Sequence, residues 1–210
     1  MKTALLGVLL ATLLGVVSAP RLATHFPDLF ESIGRDARAG TAVRLDTTGL
    51  VDAAQLIVEA EVESATAFEA SDGIVDTEYH LQVMRTFLGE DLTARSIRLP
   101  GGVLEDGRGL ILPGLPHPAV GERVILFLTG QGPSLRRMPV GLGQGRWRVV
   151  PGSNGELAVL TEMAGVTLLD DQGNEGHLPP SNWVRSYAQG VAEIQAAVNA
   201  RLARGEESSQ

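Results

Sequence analysis

The chain contains no cysteine and a single lysine, Lys2, in 210 residues, and only 4% of it is aromatic. Without thiols there is no disulfide framework, no thiolate nucleophile or metal site, and no lipid attachment at a leader cysteine. Without a lysine beyond position 2, Schiff-base catalysis, a Walker A phosphate loop and a Ser-Lys pair are excluded, since each needs an amine that sheds its proton or binds phosphate as a point charge. What remains is globular in character: 44% hydrophobic residues, 25 glycines, 11 prolines and a formal net charge of −8. That balance excludes collagen and low-complexity polymers and suits one well-packed domain.

Met1 and Lys2 precede a run of apolar and small residues from Ala4 to Val17, and Val17-Ser18-Ala19 supplies the small residues of a cleavage site. This predicts a secretory signal peptide over 1–19, with Pro20 as an unfavourable residue just after the cut. The run of about fourteen residues is shorter than the ~20 that span a bilayer, and no later segment is long and apolar enough to do so. The expected product is therefore exported, periplasmic or extracellular, with no stable membrane span after leader removal. With Lys2 gone, sixteen arginines face 25 Asp and Glu, a net −9. Such a surface repels polyphosphates, so nucleic acid is not an expected partner.

Residues 20–45 read as an irregular arm punctuated by Pro20, Pro27, Gly34 and Gly40. A short helix is expected through Ala54, capped by Thr47-Thr48. From Gln55 to Phe68 the pattern alternates, with Leu56, Val58, Ala60 and Val62 on one face and Ile57, Glu59, Glu61 and Glu63 on the other. That period of two predicts a half-buried antiparallel strand. Asp72-Gly73 signals a hairpin, and a second strand over Ile74–Leu88 places Thr77, Tyr79, Leu81 and Val83 inward, with Arg85 in that phase marking a bulge or an end. A third strand is predicted over Thr93–Leu99. The Gly/Pro-rich connection 100–121 is a candidate functional loop.

Val124–Leu128 is continuously apolar, which suits a strand buried on both faces. Further strands are expected at Leu135–Val140, Gly145–Val150, Leu157–Leu160 and Val166–Leu169. Ser181 is placed as the N-cap of an amphipathic helix carrying Val184, Tyr187, Val191, Ile194, Val198 and Leu202, interrupted by Gly190. The resulting division is a β-barrel domain over 46–176, a helical segment over 177–204 and a frayed tail over 205–210. The fold class is mainly β, a small antiparallel OB-like barrel with a C-terminal amphipathic helix.

No complete catalytic constellation is present. The histidines at 25, 80, 117 and 177 lack metal-ligand spacing, so no metal is expected, and no cofactor is implied. Asp170–Glu175 has a glutamate where a calcium loop needs glycine and reads as a turn. Gly141–Gly145 leads into a strand instead of opening a helix, so its glycines read as turn residues and not as a dinucleotide fingerprint. Glu59, Glu61 and Glu63 read as a solvated acidic face. The best candidate binding patch is Arg136, Arg137, Arg146, Trp147 and Arg148, with His117 in the long loop: guanidinium and indole groups suit carboxylates, sugars or a protein loop.

The strand Gln55–Val62, the hairpin end Phe87-Leu88-Gly89, Gly121–Leu128 and Gly141–Val149 together resemble the layout of the netrin-like, OB-fold domain of tissue inhibitors of metalloproteinases. The resemblance covers about half the chain and implies a closed barrel. Those inhibitors act through a disulfide-bonded N-terminal cysteine, which this chain lacks, so no residue inherits their mechanism. The first functional expectation is a non-enzymatic exported binding module, an accessory or inhibitor of an exported peptidase, using the 100–121 loop and the Arg/Trp face. The alternatives are an exported hydrolase with a dispersed site at His117 or His177, and a structural envelope protein.

Overall fold

A computed structural model describes residues 40–90, 94–115, 117–132, 134–152, 155–162, 166–170, 172–174 and 182–207. The leader 1–19, residues 20–39 of the arm with His25, His177, the expected cap Ser181 and the last three residues of the tail lie outside them.

In chain order the elements are β1 (Gly40–Val43), α1 (Thr47–Ala53), β2 (Leu56–Glu69), β3 (Val75–Leu88), β4 (Ala94–Pro100), β5 (Gly102–Val103), β6 (Gly109–Leu110), β7 (Arg123–Leu128), β8 (Arg146–Pro151), β9 (Leu157–Glu162), β10 (Val166–Leu169), β11 (Asn182–Ser186) and α2 (Tyr187–Glu207). One antiparallel sheet has the strand order β11-β9-β8-β7-β2-β3-β4, and two small sheets pair β1 with β10 and β5 with β6.

The expected closed barrel is not formed. Among the described residues the main sheet is open, ending at β4 on one side and β11 on the other, and two α-helices accompany it. The predicted strand over 135–140 is where closure fails: Pro139 has no N–H to donate, and Leu135 has a left-handed backbone (φ 63) that interrupts extension. Only isolated bridges remain there, Arg98 to Arg136 and Leu128 to Pro139. With the barrel goes the likeness to the netrin-like domain.

The two faces of the sheet carry separate cores. Ile57, Ile125, Phe127, Trp147, Val149 and Val159 meet Leu50, Val51 and Ala54 of the α1 region and Ile194, Ala197 and Val198 of α2. On the opposite face Leu56, Val58, Ala60, Val62, Tyr79, Leu81, Ile97, Leu99, Val124, Leu126 and Leu128 form a second cluster drawn from β2, β3, β4 and β7. The apolar run of β7 serves both cores, as a continuous hydrophobic pattern requires.

Three register shifts along the β2–β3 ladder bend this pair. They put Arg85 at the surface, opposite Glu59, and turn Phe87 into the helix-side core. The α1 N-cap is Asp46, whose carboxylate accepts from the Gly49 N–H, one residue before the expected Thr47. The C-terminal helix starts at Tyr187 instead of Ser181, because 182–186 pair with β9 as an edge strand and Ser186 Oγ accepts from the Gln189 N–H. Val184 is therefore an exposed edge residue and not part of a helical stripe. Gly190 lies inside α2, where a Cβ would stand 3.1 Å from Val159 Cγ2 and 3.4 Å from Trp147 Cζ3. It permits the helix to approach the sheet closely. β10 forms as expected but pairs in parallel with β1, a strand absent from the sequence reading.

Candidate functional site

The six residues singled out by sequence fall in five places. Trp147 faces the helix-side core, 1% exposed, with its indole N–H donated to Gln144 O and its ring 4.9 Å from that of Phe127. The guanidinium of Arg185 lies 4.5 Å from its ring centre.

Arg146 and Arg148 project from the other face of β8. There Arg146 Nη2 bonds Glu122 Oε1, Arg148 Nε stands 3.1 Å from the same oxygen, and Arg148 Nη1 reaches Glu162 Oε1 at 2.8 Å. Glu122 also accepts from the Ala119 N–H, which ties this ion network to the end of the long loop. Both arginines are thus occupied within the chain.

His117 is carried by that loop and sits on the second core. Its Nδ1 lies 2.7 Å from the Tyr79 hydroxyl. Burial, with the positive charge of Arg146 adding to it, pushes the imidazole down to about 4, so it is neutral at pH 7. Burial likewise raises the Tyr79 phenol well above its ordinary value. His117 Nε2 is buried with no hydrogen-bond partner among the described residues. The loop closes down on this point: Gly101 approaches the imidazole so closely that a Cβ would lie 2.8 Å from Nε2, its φ of 99 favours glycine, and Leu115 is buried. The connection 100–121 covers a core, which explains its length.

Arg137 donates from its side chain to Thr129 O and from its backbone N–H to Arg98 O. Arg136 lies at the β2–β3 turn, where Nε bonds Asp76 Oδ1 at 2.6 Å and Nη1 and Nη2 grip both oxygens of Asp72 at 2.6 and 2.8 Å. That fork, a strong pairing by geometry and charge, holds the Asp72 carboxyl down to about 2. Asp76 is fully buried, and its Oδ2 meets no partner among the described residues.

Around Arg136 opens a cleft of about 330 Å³, lined among others by Phe68, Asp72, Arg98, Ser134 and Leu135. Arg98 lies over the Phe68 ring, 4.7 Å from its centre. Leu135 is 52% exposed although its φ of 63 is strained for a leucine. Sequence reasoning reached Arg136 but missed Phe68, Arg98 and Leu135. The cross-strand neighbours Glu78 and Arg98 follow from the hairpin register, so β4 carried a usable signal. Nothing local to residues 134–136 told where that segment would lie.

The acidic stripe divides. Glu61 and Glu63 are exposed, whereas Glu59 is 1% exposed and accepts from Arg123 Nε and Nη2 at 2.8 and 2.6 Å and from the Tyr187 hydroxyl at 2.9 Å. This triad joins β2, β7 and α2 and is fully used in doing so. Asp170 accepts from the backbone N–H groups of Gln172 and Asn174, as a turn residue does. Among the described residues no group of three His, Asp or Glu is placed to hold a metal ion. Compared with known proteins, the chain matches no protein-family model and no curated protein.

Proposed function

We propose that the chain is a non-enzymatic binding module that works after export and takes a partner protein at the cleft between Phe68, Arg98 and Leu135. The observation that carries this reading is Leu135: an exposed leucine held in a left-handed conformation that costs on the order of 1–3 kcal/mol, in the wall of a cleft. A solvent-facing loop under no functional demand would relieve that cost with Gly or Asn. The leader-like residues 1–19 support action outside the cytoplasm. A peptidase as the particular partner rested on the likeness to metalloproteinase inhibitors and is not carried further. The Arg146/Arg148 face is the weaker docking candidate, because its cations already serve Glu122 and Glu162.

The test is affinity capture by the full exported chain from its native exported fraction, with Leu135→Gly as the control. A stoichiometric protein retained by the wild type and lost by the variant supports the reading. Identical retention by both sinks it.

A second reading, hydrolysis with His117 as proton acceptor, draws on its neutral imidazole and its unpartnered Nε2. Its test is turnover of ester and peptide substrates by the wild type and His117→Gln. Equal turnover removes His117 from any reaction.

A further inference from the structure

We infer that the cleft recognises the C-terminal carboxylate of a partner chain whose last residue is apolar, with Arg98 as the anion-binding group and Phe68 and Leu135 as the apolar walls. This rests on the binding reading above and specifies its chemistry.

The two arginines of the cleft differ in what they have left to give. Arg136 is committed within the chain: three of its five N–H donors go to Asp72 and Asp76, whose charges offset its own. Arg98 is not. Its guanidinium makes one long bond to Ser134 O, at 3.4 Å, and approaches Glu78 Oε1 only to 4.0 Å. Its Nε is buried and meets no acceptor among the described residues. The side chain is 25% exposed, so an arriving anion would pair with Nη1 and Nη2, which hold only that long bond and the distant Glu78. The guanidinium plane is already fixed by the Phe68 ring beneath it, so little freedom is lost on pairing.

The surroundings select the rest of the ligand. Phe68 and Leu135 offer apolar surface beside the cation, which suits an apolar side chain next to a carboxylate rather than a polyanion. Asp72 and Glu69 on the rim repel further negative charge. A volume of about 330 Å³ is at the small end for ligand sites, with room for a chain end and not for a long segment. Capture of a terminal carboxylate is a recurring way for small modules to bind peptides.

The experiment is fluorescence anisotropy of the full exported chain with three labelled hexapeptides. All share an apolar end; the first finishes in leucine with a free carboxylate, the second in the same leucine amidated, and the third is amidated with an aspartate inside. The inference expects the first to bind and the other two to bind at least tenfold more weakly, since a charge-assisted bond is lost. Arg98→Gln should erase the preference for the free acid, and Leu135→Gly should weaken all binding several-fold while the far-UV circular dichroism stays native-like and the thermal midpoint does not fall. Arg204→Gln, on α2, is the charge control and should leave binding unchanged.

Equal binding of acid and amide would overturn the carboxylate assignment, as would equal binding of the internal aspartate. No binding of any peptide by folded wild type would overturn the inference as a whole. Partner capture that still depends on Leu135 would then show the binding reading standing without it.

Discussion

The Tyr79 hydroxyl and His117 Nδ1, 2.7 Å apart, join the centre of β3 to a loop 38 residues further along the chain. The neutral imidazole in that contact makes stability depend on pH. In the unfolded chain histidine takes up a proton near 6.5, but in the folded protein His117 does so only near 4. Below 6.5 the unfolded state therefore binds more protons, and stability present above 6.5 drains away as pH falls towards 4. The full loss is on the order of 3 kcal/mol. Thermal midpoints from pH 7.5 to 4.5 should fall more steeply for the wild type than for His117→Gln. Parallel profiles would show that His117 is not the responsible group.

Glu59 should prove the most sensitive charged position of the strands. Glu59→Ala strips the carboxylate from Arg123 and from Tyr187, leaving a half-buried guanidinium against the core. A loss of about 3 kcal/mol is expected in urea unfolding, since breaking a buried pair leaves its partner uncompensated. Tyr187→Phe leaves the Glu59–Arg123 pair in place and removes the hydroxyl's bond to Glu59 and its long one from Arg123, so it should cost less, about 1 kcal/mol.

At Gly190 the usual helix preference should be cancelled. Alanine in an exposed helix interior gains about 1 kcal/mol over glycine. Here its Cβ meets Val159 at 3.1 Å and the Trp147 ring at 3.4 Å, so Gly190→Ala should show no gain in denaturant midpoint. Gly190→Val should lose 2 kcal/mol or more, roughly the cost of overpacking a well-filled core.

Leu135→Gly should raise stability by about 1 kcal/mol, because glycine adopts φ 63 without strain and the leucine side chain is half exposed. Differential scanning calorimetry reads this directly. A lower midpoint would mean that Leu135 is held by packing and not against a conformational preference.

The long strands were legible because their alternation is a local property. Leu56 to Val62 and the Asp72-Gly73 turn specify β2, the hairpin and their inward faces without reference to the rest of the chain. The double burial of β7 was equally plain from Val124–Leu128. Closure was not legible, since it depends on whether residues 135–140 extend, and the left-handed Leu135 is invisible in composition. Likewise Val184 fits a helical spacing from Tyr187 onward, and only its pairing with Leu160 makes it a strand residue. For the site, residue type revealed the arginines but not their partners. Arg146 and Arg148 suggested an open cationic face because Glu122 and Glu162, 14 to 26 residues away, could not be placed beside them from sequence. The same blindness concealed Glu59 as a buried acid and Arg98 as the cation with donors to spare.

The helix clasp sets when this protein can finish folding. Arg201 on α2 donates to Val51 O and Ala54 O, closing the C-terminal end of α1, and Arg204 reaches Asp52. The first of these contacts spans 150 positions. A chain emerging from its N-terminus has α1 early but lacks the residues that cap and cover it until nearly the whole sequence has been made. The helix-side core, with β7 shared between both faces, is therefore completed last. On the export reading proposed above, such late completion would keep the chain transport-competent until its final turns have passed.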